Sequence, residues 1–66
     1  MMNIKSGDIV MFKEVKDKGD ENAQMVVLDD YGKDCERCLV KYLNTGLPLP
    51  PQQVVLKEEL RTIYSL

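Results

Sequence analysis

The sequence predicts an all-β protein. Five short segments rich in β-branched, aliphatic and aromatic residues are separated by turn signals. No window keeps apolar residues at i, i+3, i+4 and i+7 for three turns, which excludes a helical fold. Four residues that fit one helical turn precede the last segment. This order is typical of a small five-stranded SH3-like barrel, which is the fold we predict, with an OB-like five-stranded barrel as the main alternative.

The first strand is predicted at residues 8–15 (DIVMFKEV), directly after the turn signal KSG. Val10 and Phe12 fall on one face of this strand because side chains alternate along an extended chain. Residues 16–22 (KDKGDEN) contain no apolar side chain. They therefore predict an exposed loop.

The second and third strands are predicted at residues 23–30 and 35–43, on either side of a glycine turn (DYGKD). The third segment, CERCLVKYL, alternates between two sets of side chains. Cys38, Val40 and Tyr42 form the more apolar set and should face the core.

The fourth strand is predicted at residues 52–56 (QQVVL), a helical turn at 57–60 (KEEL) and the fifth strand at 61–65 (RTIYS). The core should form between the apolar sides of the five strands. The side chains expected to be the most buried are Val10, Phe12, Val27, Cys38, Val40, Tyr42 and Ile63.

The composition describes a single domain that covers residues 1–66, with 44% hydrophobic and 30% charged residues. A chain with this hydrophobic content can bury enough apolar area to offset the conformational entropy that it loses on folding. The sequence has neither a signal-peptide pattern nor a run of about 18 apolar residues, so we expect a cytoplasmic protein with no membrane partner. The net charge of -2 and the interleaving of basic with acidic residues argue against nucleic acid as a partner.

All three prolines fall in the segment NTGLPLPPQQVV. Pro48 and Pro51 have the P-x-x-P spacing of polyproline ligands, but no basic residue stands beside them as SH3 docking requires. Alternatively, the segment is a structural edge: Leu47 and Leu49 would pack on the barrel, and the prolines would block strand addition. We expect the structural edge, because leucines interleaved with the prolines are better explained by a segment that packs on the barrel than by a ligand displayed to a polyproline-binding domain.

Cys35 and Cys38 form a C-x-x-C pair in a chain without histidine. A closed zinc site needs four ligands, so it would require a second protomer or carboxylates. Redox chemistry would place the pair at a helix N-terminus, whereas these cysteines stand where a turn becomes a strand. We expect a buried structural Cys38, an incidental Cys35 and reduced thiols, with an intersubunit metal or a redox role as alternatives.

Neighbouring carboxylates occur in three places, each beside a turn: Asp20-Glu21, Asp29-Asp30 and Glu58-Glu59. Acid-base catalysis would need one of them in an apolar pocket, and a barrel of this size has little interior. We expect solvated turn residues. The sequence therefore predicts no enzyme, no catalytic residue, no metal ligand and no cofactor.

Four stretches carry a resemblance to a known family: GDIVMFK, QMVVLDD, CLVKY and VVLKEEL. Together they resemble the YodC-like family of small uncharacterised bacterial proteins. The chain differs from that family by the segment EVKDKGDENA after the first strand and by the proline-rich insert. The resemblance implies a small β-barrel and, because the family has no established activity, implies no mechanism.

Function on so small a scaffold depends on loops and edges. We therefore expect a small non-enzymatic module that binds a protein or peptide partner, or associates with itself. A nucleic-acid-associated accessory domain is the alternative. The candidate binding residues lie in the charged loop and the proline segment: Lys16, Lys18, Asp20, Glu21, Leu47, Pro48, Pro50 and Pro51.

Overall fold

A computed structural model of the protein describes residues 4–14, 23–43, 45–46 and 48–64. They form five antiparallel strands in one sheet and a single turn of 3-10 helix before the last strand. The all-β class and the position of the helical turn are thus confirmed. In chain order the elements are β1 (Ile9–Phe12), β2 (Gln24–Asp29), β3 (Arg37–Leu43), β4 (Gln52–Leu56), the 3-10 helix (Lys57–Glu59) and β5 (Leu60–Tyr64).

The strand order in the sheet is β4-β3-β2-β1-β5. The first four strands each lie beside their neighbour in sequence, whereas β5 pairs with β1 at the opposite edge from β4. β4 and β5 are therefore the two edges of the sheet. The sheet is not closed between them, so the structure gives the five strands of the predicted barrel without its closure.

One face of the sheet, here called the core face, carries nearly all the buried apolar side chains. Cross-strand pairs on this face include Val27 with Val40 and Cys38 with Val55. Directly opposite residues in antiparallel strands share a face, so these pairs stack into one cluster. The buried hydrophobic residues of the cluster are Ile4, Val10, Met25, Val27, Cys38, Val40, Val55 and Leu60.

The predicted core is confirmed for Val10, Val27, Cys38 and Val40, which are buried. The other three predicted residues are less buried than expected. Phe12 and Tyr42 pack against the cluster but are only half-buried, and Ile63 is half-buried as well. Each of the three stands near the end of its strand, where fewer neighbours cover a side chain.

Several element boundaries differ from those predicted. β1 ends at Phe12 rather than continuing to residue 15, which lies outside the described residues. Phe12 is paired with Leu60, and this pairing draws Leu60 into β5 and ends the helical turn at Glu59. Cys35 precedes β3, because its N–H donates to the Gly32 carbonyl in a turn.

Candidate functional site

β4 has β3 as its one strand partner within the described part of the chain, which leaves the other side of β4 open. Two backbone hydrogen bonds fix which residues of β4 bond to β3. At one end the Tyr42 N–H donates to the Pro51 carbonyl at 2.9 Å, and at the other the Lys57 N–H donates to the Glu36 carbonyl at 2.8 Å.

Bonded and non-bonded positions alternate along an antiparallel ladder. Since residues 51 and 57 bond towards β3, residues 53 and 55 do the same. The N–H and C=O groups of Gln52, Val54 and Leu56 consequently point away from β3. These groups form the open side of β4.

The open side of β4 is uncharged and partly apolar. The strand reads QQVVL, with neither an acidic nor a basic residue. Val54 is 46% exposed and lies opposite Leu39 of β3, on the outer face of the sheet, which is the face turned away from the core. Natural edge strands are commonly protected by charges, bulges or prolines, and β4 itself has no charge or proline.

The outer face also carries a cross-strand row that reaches from one edge to the other. Lys41 lies opposite both Gln52 and Val26, and Ile9 lies opposite both Val26 and Tyr64. Tyr64, at the β5 edge, is 71% exposed. The outer face therefore combines apolar and polar side chains.

The proline segment before β4 differs from the prediction. Leu49 was expected to pack against the sheet, yet it is 88% exposed, so this expectation is wrong. The chain bends at Pro48 and Leu49, which interrupts the strand alternation and leaves Leu49 in solvent. Pro48 and Pro51 are exposed and Pro50 is half-buried.

Pro51, one of the three prolines expected to block strand addition, does not do so on the open side of β4. Its carbonyl accepts the Tyr42 N–H, so its missing N–H lies on the β3 side. Pro51 thus ends the β3-β4 ladder and leaves the open side of β4 unchanged. The remaining predicted binding residues, Lys16, Lys18, Asp20, Glu21 and Leu47, lie outside the described residues.

A buried lysine that sequence reasoning missed lies beside the end of β4. Lys57 is only 4% exposed, and its Nζ donates to the Gly32 carbonyl at 2.8 Å. This bond joins the 3-10 helix to the loop between β2 and β3. Because its ammonium is held there, Lys57 is not available as a cationic anchor for the P-x-x-P segment.

The same loop is held by the Asp30 carboxylate. It accepts the backbone N–H of Gly32 at 2.8 Å and that of Ser6 at 3.2 Å, while the Ser6 hydroxyl accepts the Asp30 N–H. These two N–H donors lower the pKa of Asp30, and the positive charge of Lys57 acts in the same direction. The loop backbone takes positive φ at Tyr31 and, as expected, at Gly32.

Both cysteines are free thiols in the structure. Cys38 is buried on the core face, and this burial raises the pKa of its thiol, which disfavours the nucleophilic thiolate. Cys35 is half-buried. Within residues 4–14, 23–43, 45–46 and 48–64, no three histidine, cysteine or acidic side chains are grouped as a metal site would require.

Comparisons of the chain with protein-family models, curated proteins and solved structures gave no match in any of the three. No helix among the described residues has the length and apolar character to span a membrane. The open side of β4 is the feature of the molecule on which the functional proposal rests.

Proposed function

We propose that the protein is a small non-enzymatic binding module that recognises an extended segment of a protein along the open side of β4. The main-chain groups of Gln52, Val54 and Leu56 carry this proposal. Outward N–H and C=O groups on an edge strand are what an added strand bonds to, as in domains that bind peptides by strand addition.

The proposed scaffold is a partly open SH3-like barrel. The edges of a flat five-stranded sheet would lie about 19 Å apart, given about 4.8 Å between strands. β4 and β5 are these edges, yet only the 3-10 helix Lys57–Glu59 separates them in sequence. Three residues of 3-10 helix advance about 6 Å. A sheet that coils so that its two edges approach each other at the 3-10 helix accounts for this short connection.

The side chains beside the open edge favour an apolar partner segment. An added strand would place alternate side chains over the outer face, next to Val54 and its neighbour Leu39. Leu49, exposed just before the strand, offers a further apolar contact for a longer segment. We therefore expect a partner segment that is extended and has apolar residues at alternate positions.

A peptide-display selection followed by titration tests this function. Val54→Pro removes one outward N–H and leaves the bonds to β3 in place, so the variant should fold. Selected peptides should bind the wild type and lose affinity for Val54→Pro by about tenfold or more. Thr62→Lys, at an exposed residue of the opposite edge, is the matched control and should bind like the wild type.

Equal binding by the wild type and by a folded Val54→Pro variant would overturn the proposal. So would peptides whose binding is lost in Thr62→Lys but retained in Val54→Pro. Amide dispersion in a proton-nitrogen NMR spectrum establishes that each variant is folded before its affinity is compared.

A further inference from the structure

We infer that the segment which fits the open side of β4 best is β4 of a second copy, paired antiparallel about a two-fold axis. This inference rests on the same open side as the proposed function and names its partner. The resulting dimer would join the two sheets into one continuous sheet through the β4 edges.

The register follows from the three outward residues. Placing Val54 opposite Val54 of the second copy brings Gln52 opposite Leu56, so all the outward groups are used in about six hydrogen bonds. A shift by two residues towards the N-terminus brings Pro50, which has no N–H, into the ladder. A shift the other way brings in the 3-10 helix, whose backbone is not extended. One register therefore satisfies the whole strand.

The charge pattern allows β4, but not β5, to pair with itself at little cost. β4 has no charged residue, so self-pairing brings no like charges together. β5 reads LRTIY and carries Arg61, which is exposed. A basic residue on an edge is a common protection against strand addition. Self-pairing through β4 also covers Val54, the exposed apolar residue at the centre of its open side.

The paired segment is short, so the dimer should be weak and depend on concentration. An interface of one five-residue strand per copy buries less surface than a standard stable interface. We expect a monomer in dilute solution and a dimer in concentrated solution.

Sedimentation velocity on the full chain, over a series of concentrations, tests the inference. Val54→Lys and Val54→Glu each place like charges opposite each other at the two-fold axis. Each variant alone should dissociate at least about tenfold more readily than the wild type. An equimolar mixture of the two should dimerise again, because lysine then lies opposite glutamate. The matched control pair, Thr62→Lys and Thr62→Glu, should dimerise like the wild type.

A wild type that stays monomeric at every concentration would overturn the inference. Dimers of Val54→Lys alone, or a mixture no more dimeric than its components, would overturn it as well. The proposed function is tested separately from this inference. If the wild type stays monomeric but its selected peptides do not bind Val54→Pro, the proposed function stands and only the second copy is removed as a partner.

Discussion

The Nζ of Lys57 donates a hydrogen bond to the carbonyl of Gly32, 25 residues earlier, at 2.8 Å. This contact connects the segment between the two edge strands with the loop between β2 and β3. The lysine stem is buried along its path, so the residue contributes both packing and a hydrogen bond.

Lys57→Ala should lower the free energy of unfolding by about 1–3 kcal/mol, because it removes a buried stem and leaves the Gly32 carbonyl without this donor. Lys33→Ala, at an exposed residue of the same loop, should change stability by less than about 0.5 kcal/mol. Denaturant unfolding of both variants measures the difference. Equal stabilities of the two variants would show that the buried contact contributes nothing.

Stability should depend on the ionisation of Asp30 in acid. Hydrogen bonds from the Gly32 and Ser6 N–H groups hold the pKa of Asp30 below its ordinary value of 3.8. The unfolded chain therefore takes up the proton at a higher pH than the folded chain does. The stabilisation is fully present well above pH 3.8 and is lost as the pH falls through the lowered folded-state pKa.

Asp30→Asn should accordingly be less stable than the wild type at pH 7, with a difference that narrows as the pH falls below 3.8. Asp34→Asn, at an exposed residue of the same loop, is the control. Denaturant unfolding at a series of pH values measures both variants. A difference between Asp30→Asn and the wild type that stays constant from pH 7 to acid would contradict the role given to this carboxylate.

The two thiols should differ in reactivity. Cys38 is buried and the pKa of its thiol is raised by that burial, whereas Cys35 is half-buried. Under native conditions iodoacetamide should modify Cys35 first, and Cys38 should react only at the rate at which the protein opens. Peptide mapping by mass spectrometry after timed quenching follows both sites. Faster modification of Cys38 would place it outside the core.

The proline segment should not act as a ligand for SH3 or WW domains. Lys57 is held by Gly32, so it supplies no cationic anchor for P-x-x-P docking. We expect no binding of the wild type to isolated SH3 or WW domains, and hence no effect of Pro48→Ala/Pro51→Ala on such binding. Micromolar binding that this double substitution abolishes would instead make the segment a displayed ligand.

The bounds of β4 and the buried side of β3 could be predicted from local pattern alone. β4 lies between prolines and a charged turn, and Cys38 and Val40 alternate with Leu39 and Lys41. These patterns lie within a few residues of sequence. Because side chains alternate between the two faces of a strand, such a pattern predicts directly which side chains are buried.

Other features depend on contacts between distant segments and could not be predicted in this way. The buried position of Lys57 depends on a carbonyl 25 residues away that accepts a hydrogen bond from its Nζ, and nothing in KEEL indicates that carbonyl. The exposure of Leu49 follows from a bend beside two prolines, where strand alternation no longer applies. The open side of β4 follows from the strand order, which places β4 at one edge of the sheet and which no local pattern in the sequence indicates.

Residue-by-residue hydrogen exchange of the β4 amides, measured by NMR in dilute and concentrated solution, tests the open edge most directly. In dilute solution the Val55 amide should exchange slowly, because it bonds to β3, and the Val54 amide should exchange rapidly. In concentrated solution Val54 should gain protection as a second β4 pairs with it. A Val54 amide as slow as that of Val55 in dilute solution would contradict the open edge. A rapid Val54 amide at every concentration would contradict the pairing.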